Sequence, residues 1–136
     1  MKNHISRVYL SLRGDFPPEC VTKSLKLKPS KCIEKGASNA ANRVSKISIW
    51  NYDVAEGEII DLYETIDKFY STFKFLDDEL LFLINKYSIE SRLVVVLKMV
   101  TESNASLPAL GLTTQLISFL NTINTSVDVD MYLYED

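Results

Sequence analysis

The spacing of apolar residues changes along this chain, and that change constrains the fold more than any other feature. Val8, Leu10 and Leu12 alternate with Arg7, Tyr9, Ser11 and Arg13. A period of two puts one side of a strand on a core and the other in solvent. Near the far end Val127, Val129, Met131 and Leu133 alternate in the same way with Asp128, Asp130, Tyr132 and Tyr134. Slipping that strand by one residue would turn the aspartates inward, which desolvation disfavours. Between these ends the period lengthens. From Glu58 onward Ile59, Leu62, Tyr63, Ile66, Phe69, Tyr70 and Phe73 recur at three- and four-residue steps, the stripe of an amphipathic helix.

The remaining segments fall into place around these. Gly14 to Pro18 breaks the first strand, and Pro18 with Glu19 suits the first turn of a short helix over 18–26 that Pro29 ends. Two strands are expected near Lys31–Lys35 and Lys46–Tyr52, joined by the polar run Gly36–Asn42. Asp77, Asp78 and Glu79 are expected to cap a second long helix carrying Leu80, Leu81, Leu83, Ile84 and Tyr87. Residues 91–100 read as the most apolar strand, at the centre of a sheet, and Pro108–Leu112 as a short strand or turn. Thr113 is the expected N-cap of a last helix whose buried stripe is Leu116, Ile117 and Leu120. The order β-α-β-β-α-α-β-β-α-β is an α+β pattern: a single domain with a mostly antiparallel sheet of five to six strands and helices on one face.

Several chemistries find no support. Cys20 and Cys32 lie twelve apart with no CxxC spacing and no nearby histidine, so they read as two free, buried thiols rather than a zinc or redox site. His4 reads as a tail histidine, poorly placed to serve as the base of a nucleophile pair. The glycines at 14, 36, 57 and 111 are too dispersed for a phosphate-cradling loop. Asp128 and Asp130 lie two apart on an expected solvated strand face, where an acid–base pair finds no support. The expectation is a non-enzymatic protein with no cofactor and no metal. The beginning of the chain lacks the apolar run and cleavage site of a secretory signal, and no stretch is long enough to span a bilayer, so a cytoplasmic location is expected and no membrane partner. The acceptor patterns at Asn104 and Asn124 are discounted for want of secretory context.

Charge is unevenly divided. Residues 1–46 hold ten Lys and Arg against three Asp and Glu, and residues 47–136 hold five against fifteen. Glu58, Asp61, Glu64 and Asp67 recur every third residue beside the apolar stripe of the long helix. Such a ridge is either an ordinary solvated face or a landing surface for a basic protein. Tyr9, Arg13, Asp128, Asp130, Tyr132 and Tyr134 would form a second surface on the uncovered side of the sheet if the first and last strands are neighbours. Lys23, Lys26, Lys28, Lys31, Lys35 and Arg43 invite a nucleic-acid reading, but the chain is acidic overall and no aromatics interleave the lysines, so nucleic acid is the weaker candidate.

Tyr9–Leu12, the Pro-Glu-x-x-Thr-x-x-Leu-x-Leu-x-Pro run from Pro18 to Pro29, Gly36, Trp50 and the closing Val127–Tyr134 strand together resemble the bacterial domain of unknown function 4279 family. The resemblance covers about residues 7–134, and over 53–90 it rests on helical pattern alone. It implies a small α+β domain of the bacterial cytoplasm whose members are associated with toxin–immunity gene neighbourhoods, and it carries no catalytic residues to transfer. The functional expectation is therefore an immunity protein that binds a cognate toxin with a basic surface. The alternative is an accessory or regulatory domain that self-associates or binds a small ligand near the aromatic-rich Trp50–Tyr63 region.

Overall fold

The computed structural model describes residues 3–101 and 106–135. It contains β1 (Ile5–Gly14), α1 (Pro18–Leu25), β2 (Lys31–Ile33), β3 (Ser48–Glu58), α2 (Leu62–Phe73), α3 (Asp77–Tyr87), β4 (Glu90–Val100), α4 (Thr114–Thr122) and β5 (Ser126–Tyr134). The five strands form one sheet in the order β2-β3-β1-β4-β5. All neighbours are antiparallel except β4 and β5, which are parallel. The fold is thus α+β with a mostly antiparallel sheet. The extra short strand allowed at Pro108–Leu112 is irregular chain. Asn104 lies outside the described residues.

The core follows the alternation. Val8, Leu10 and Leu12 of β1 and Leu93, Val95 and Leu97 of β4 meet Val21 and Leu25 of α1, Ile66, Phe69 and Phe73 of α2, Leu80 of α3 and Leu116 and Leu120 of α4. Trp50, Phe69 and Phe73 are wholly buried, each removal from water contributing about 1.5–3 kcal/mol or more. β4 is apolar on both faces: Val94 and Val96 point away from the helices and are still buried. It is an interior strand, although β1 takes the centre.

Local chemistry sets the element ends. Lys26 adopts φ 57°, a left-handed cap whose N–H bonds the Thr22 carbonyl, so α1 stops before Pro29 is reached. β3 continues six residues past Tyr52, through a bulge at Val54 opposite the Val8/Tyr9 step, and occupies Glu58 as strand. The long helix therefore starts only at Leu62, with Asp61 as its N-cap. Asp77, Asp78 and Glu79 do not cap α3 through their side chains; they form its first turn, where their charge meets the positive end of the helix dipole. Thr113 caps α4 as expected, its hydroxyl accepting from the Leu116 N–H at 3.1 Å.

Four further expectations need correction. β4 lies between β1 and β5, because the parallel β4–β5 connection through α4 places the last strand outside β4. His4 is buried, with Nδ1 accepting the Val100 N–H at 3.0 Å. Cys32 is exposed on the short β2 and Cys20 half-buried, both as free thiols. Ile117 is half-exposed, and Phe119 and Ile123 complete the buried face of α4 instead.

Candidate functional site

The helices cover one side of the sheet, and the other side is built from the second half of every alternation. Rows can be read across it from the pairing. Asp53, Tyr9, Val94 and Asp128 form one row, Glu56, Arg7, Val96 and Asp130 the next, and Glu58, Ile5, Lys98 and Tyr132 a third. Carboxylates of β3 thus stand along one flank and those of β5 along the other. Cations and aromatic rings occupy the middle over a floor of Val94 and Val96. The Arg7 guanidinium lies 4.5 Å from the centre of the Tyr9 ring, a cation–π contact.

A hollow of about 210 Å³ opens on this face, lined among others by Tyr9, Arg13, Asn51, Arg92, Asp128 and Asp130. Arg92 spans it, donating to Glu90 through Nε at 2.9 Å and to Asp128 through Nη1 at 2.9 Å. The hydrogen bond to Glu90, then the two neighbouring carboxylates, raise its pKa above the ordinary guanidinium value. Arg13 Nε and Asn51 Oδ1 are closed off from solvent and have no hydrogen-bond partner among the described residues. Unpaired polar atoms of this kind cost stability unless something meets them. A second hollow of about 380 Å³ at the end of the face is bordered by Ile5, Glu58, Lys98, Val100 and Tyr134.

Five of the eight residues expected to touch a partner come together here: Glu58, Asp128, Asp130, Tyr132 and Tyr134. The alternation expected for β5 is observed, with its even-numbered residues on the open face, but its other side is not the buried one expected: at this edge of the sheet Val129, Met131 and Leu133 are left exposed. Although β1 and β5 are not neighbours, both contribute to the same face. The expected helical ridge does not form as a unit. Glu58 belongs to the sheet, Asp61 is occupied by the Glu64 N–H at 3.3 Å, and Asp67 accepts the Thr113 hydroxyl at 2.9 Å. Glu64, Asp67, Lys68 and Tyr63 instead border a broad hollow of about 440 Å³. Trp50 does not reach it, being buried with its indole N–H on Thr22.

Arg7, Asp53, Glu56, Arg92 and Lys98 complete this face without belonging to any motif. Their signal was present for β3, where Asn51 and Asp53 alternate with Trp50, Tyr52 and Val54 beyond the point at which the strand was expected to stop. Among the described residues, no group of three or more His, Cys, Asp or Glu is placed to hold a metal ion, and no helix is long and apolar enough to cross a membrane.

Residues 3–134 match the family described as Domain of unknown function (DUF4279). The chain belongs to that family. The match takes in the whole sheet and all four helices, so the open face lies within the family's domain. No curated protein and no solved structure matches the chain.

Proposed function

We propose that this protein is a non-enzymatic cytoplasmic binding protein that uses its open sheet face to dock a basic protein partner, as an immunity protein occluding a cognate bacterial toxin. The observation that supports this reading most is the convergence of Glu58, Asp128, Asp130, Tyr132 and Tyr134 on one uncovered face. Exposed tyrosines beside carboxylates supply anchors and a steering field together. The toxin is supplied by the family resemblance, and the surface by the sheet. Coexpression with a toxin encoded immediately upstream tests it: tolerance and copurification are expected, and protection without a complex would sink direct neutralisation. The second reading, an accessory or regulatory domain that takes a small ligand or self-associates, draws on the hollow beside Tyr63 and Thr113. Binding confined to that hollow, unaffected by changes at Tyr132 and Tyr134, would favour it.

A further inference from the structure

β5 ends the sheet as a nine-residue strand with one edge unpaired by the rest of the sheet. Exposed edges are ordinarily blunted by shortness, proline, bulges, lysine or a covering element. The opposite edge is blunted in that way, since β2 has only three residues. β5 has no proline, lysine or arginine, its only charges are Asp128 and Asp130, and its register with β4 runs unbroken from Ser126 to Tyr134. Its helix-side residues Met131 and Leu133 are 65% and 73% exposed.

The direction of the free backbone groups follows from the ladder. The Thr101 N–H bonds the Tyr134 carbonyl at 3.0 Å, so the even-numbered residues of β5 turn their backbone groups toward β4. Val127, Val129, Met131 and Leu133 therefore turn theirs outward. Any strand that adds antiparallel to this edge pairs with those odd-numbered residues.

We propose that the occupant is the β5 strand of a second copy of this chain, paired antiparallel about a two-fold axis at Met131. The strand's own pattern argues for a copy, since its acids and tyrosines are spaced to face one another across a two-fold axis, and charge selects the register. An axis at Val129 sets Asp128 against Asp130 of the second copy, and an axis at Asp128 or Asp130 sets that residue against itself; like charges directly opposite are destabilising. The axis at Met131 sets Asp130 against Tyr132, Asp128 against Tyr134 and Val129 against Leu133, with Met131 on itself. An axis at Tyr132 also avoids facing carboxylates but pairs a shorter length of strand. In the Met131 register every acid meets a tyrosine that can donate to it, and every exposed apolar side chain of the strand centre meets another. Because the axis is perpendicular to the sheet, both helix layers stand on one side and both open faces on the other, giving a closed dimer with a ten-stranded sheet. One paired strand makes a small interface, so the dimer is expected to dissociate at ~1–100 µM. The proposal deepens the self-association named in the second reading; it shares Asp128, Asp130, Tyr132 and Tyr134 with the toxin reading but is tested on the chain alone, so either can fail without the other.

Sedimentation velocity of the full chain over a concentration series, with amide exchange by NMR, tests it. A monomer–dimer equilibrium is expected, with the Val129, Met131 and Leu133 amides gaining protection as the dimer fills. Met131→Lys places two ammonium groups at the axis and should weaken the dimer at least ~10-fold. Tyr132→Lys faces Asp130 of the second copy twice and should tighten it by roughly 2- to 30-fold at low salt. Both side chains are at least half exposed, and unchanged circular dichroism verifies the fold. A protein that stays monomeric up to ~500 µM, a dimer indifferent to Met131→Lys, or one weakened by Tyr132→Lys overturns the proposal.

Discussion

The indole N–H of Trp50 donates to the hydroxyl of Thr22 at 3.0 Å, fastening the first helix to the third strand across the core. Both residues belong to the pattern that carries the family resemblance, and the bond gives each a structural reason to be there. Thr22→Val keeps the shape but leaves a buried donor unpaired, which should cost about 1–3 kcal/mol in urea unfolding. Combined with Trp50→Phe, the two losses should be less than additive, and full additivity would show that the pair does not interact.

His4 makes a comparable tie at the other end of the sheet, where Nδ1 accepts the Val100 N–H and its own carbonyl accepts the Ile59 N–H at 2.9 Å. His4→Ala should destabilise the fold by about 1–3 kcal/mol by orphaning the Val100 amide. Asn at this position can again present an acceptor and should recover part of that loss. A midpoint unchanged by His4→Ala would return the residue to a passive tail.

On the open face, Tyr134→Ala should weaken a toxin complex by about 2 kcal/mol or more while leaving unfolding nearly unchanged. Reversing Glu58 and Asp130 to Lys should act differently, lowering the association rate and flattening its salt dependence, because such steering is screened beyond roughly 10 Å at 0.1 M salt. Stopped-flow association at several ionic strengths separates the two effects. An unchanged rate in the double reversal would remove this face from the encounter.

The acids of the second helix should divide by duty. Asp61→Ala removes an N-cap and should cost about 0.5–2 kcal/mol of stability, whereas Glu64→Ala, exposed in the first turn, should cost well under 1 kcal/mol. Thermal unfolding of the two variants side by side decides this. Equal losses would mean that the cap bond at 3.3 Å contributes nothing.

Cys32 lies exposed on β2, but the chain around its thiol removes part of its hydration, and this partial desolvation, then the nearby Glu34 carboxylate, raise its pKa above the ordinary value. A raised pKa leaves less thiolate at a given pH, so alkylation of Cys32 should lag a free-thiol standard near pH 8 and rise at higher pH. Glu34→Gln should move the profile down toward the standard. Alkylation faster than the standard would show the opposite shift.

Where a side chain's fate depended on its near neighbours, the sequence was a good guide. The alternations of Arg7–Arg13 and Val127–Tyr134 fix which side of each strand is apolar, and Thr113 announces the last helix by itself. What escaped depends on distant partners. Glu58 looked helical because Ile59 and Leu62 follow it, but its conformation is set by pairing with Ile5. His4 is buried where the chain after β3 and the end of β4 meet it, through the Ile59 and Val100 N–H groups. Neighbours in the sheet were equally hidden, since local periodicity says how a strand faces and nothing of what lies next to it. That is why the open face could be foreseen in its residues but not in its rows.

The place of β1 at the middle of the sheet has a consequence for synthesis. The first strand made needs two partners, and the later one pairs Lys98 with Ile5, roughly ninety residues downstream. Until β4 has left the ribosome, β1 lacks one of its two strand partners, and Val8, Leu10 and Leu12 are open along that side. Contacts of such separation are paid for in loop-closure entropy before they return any stability, which slows folding. Nascent chains arrested before Glu90 should therefore remain sensitive to protease, and protection should come only when the strand through Val100 has emerged.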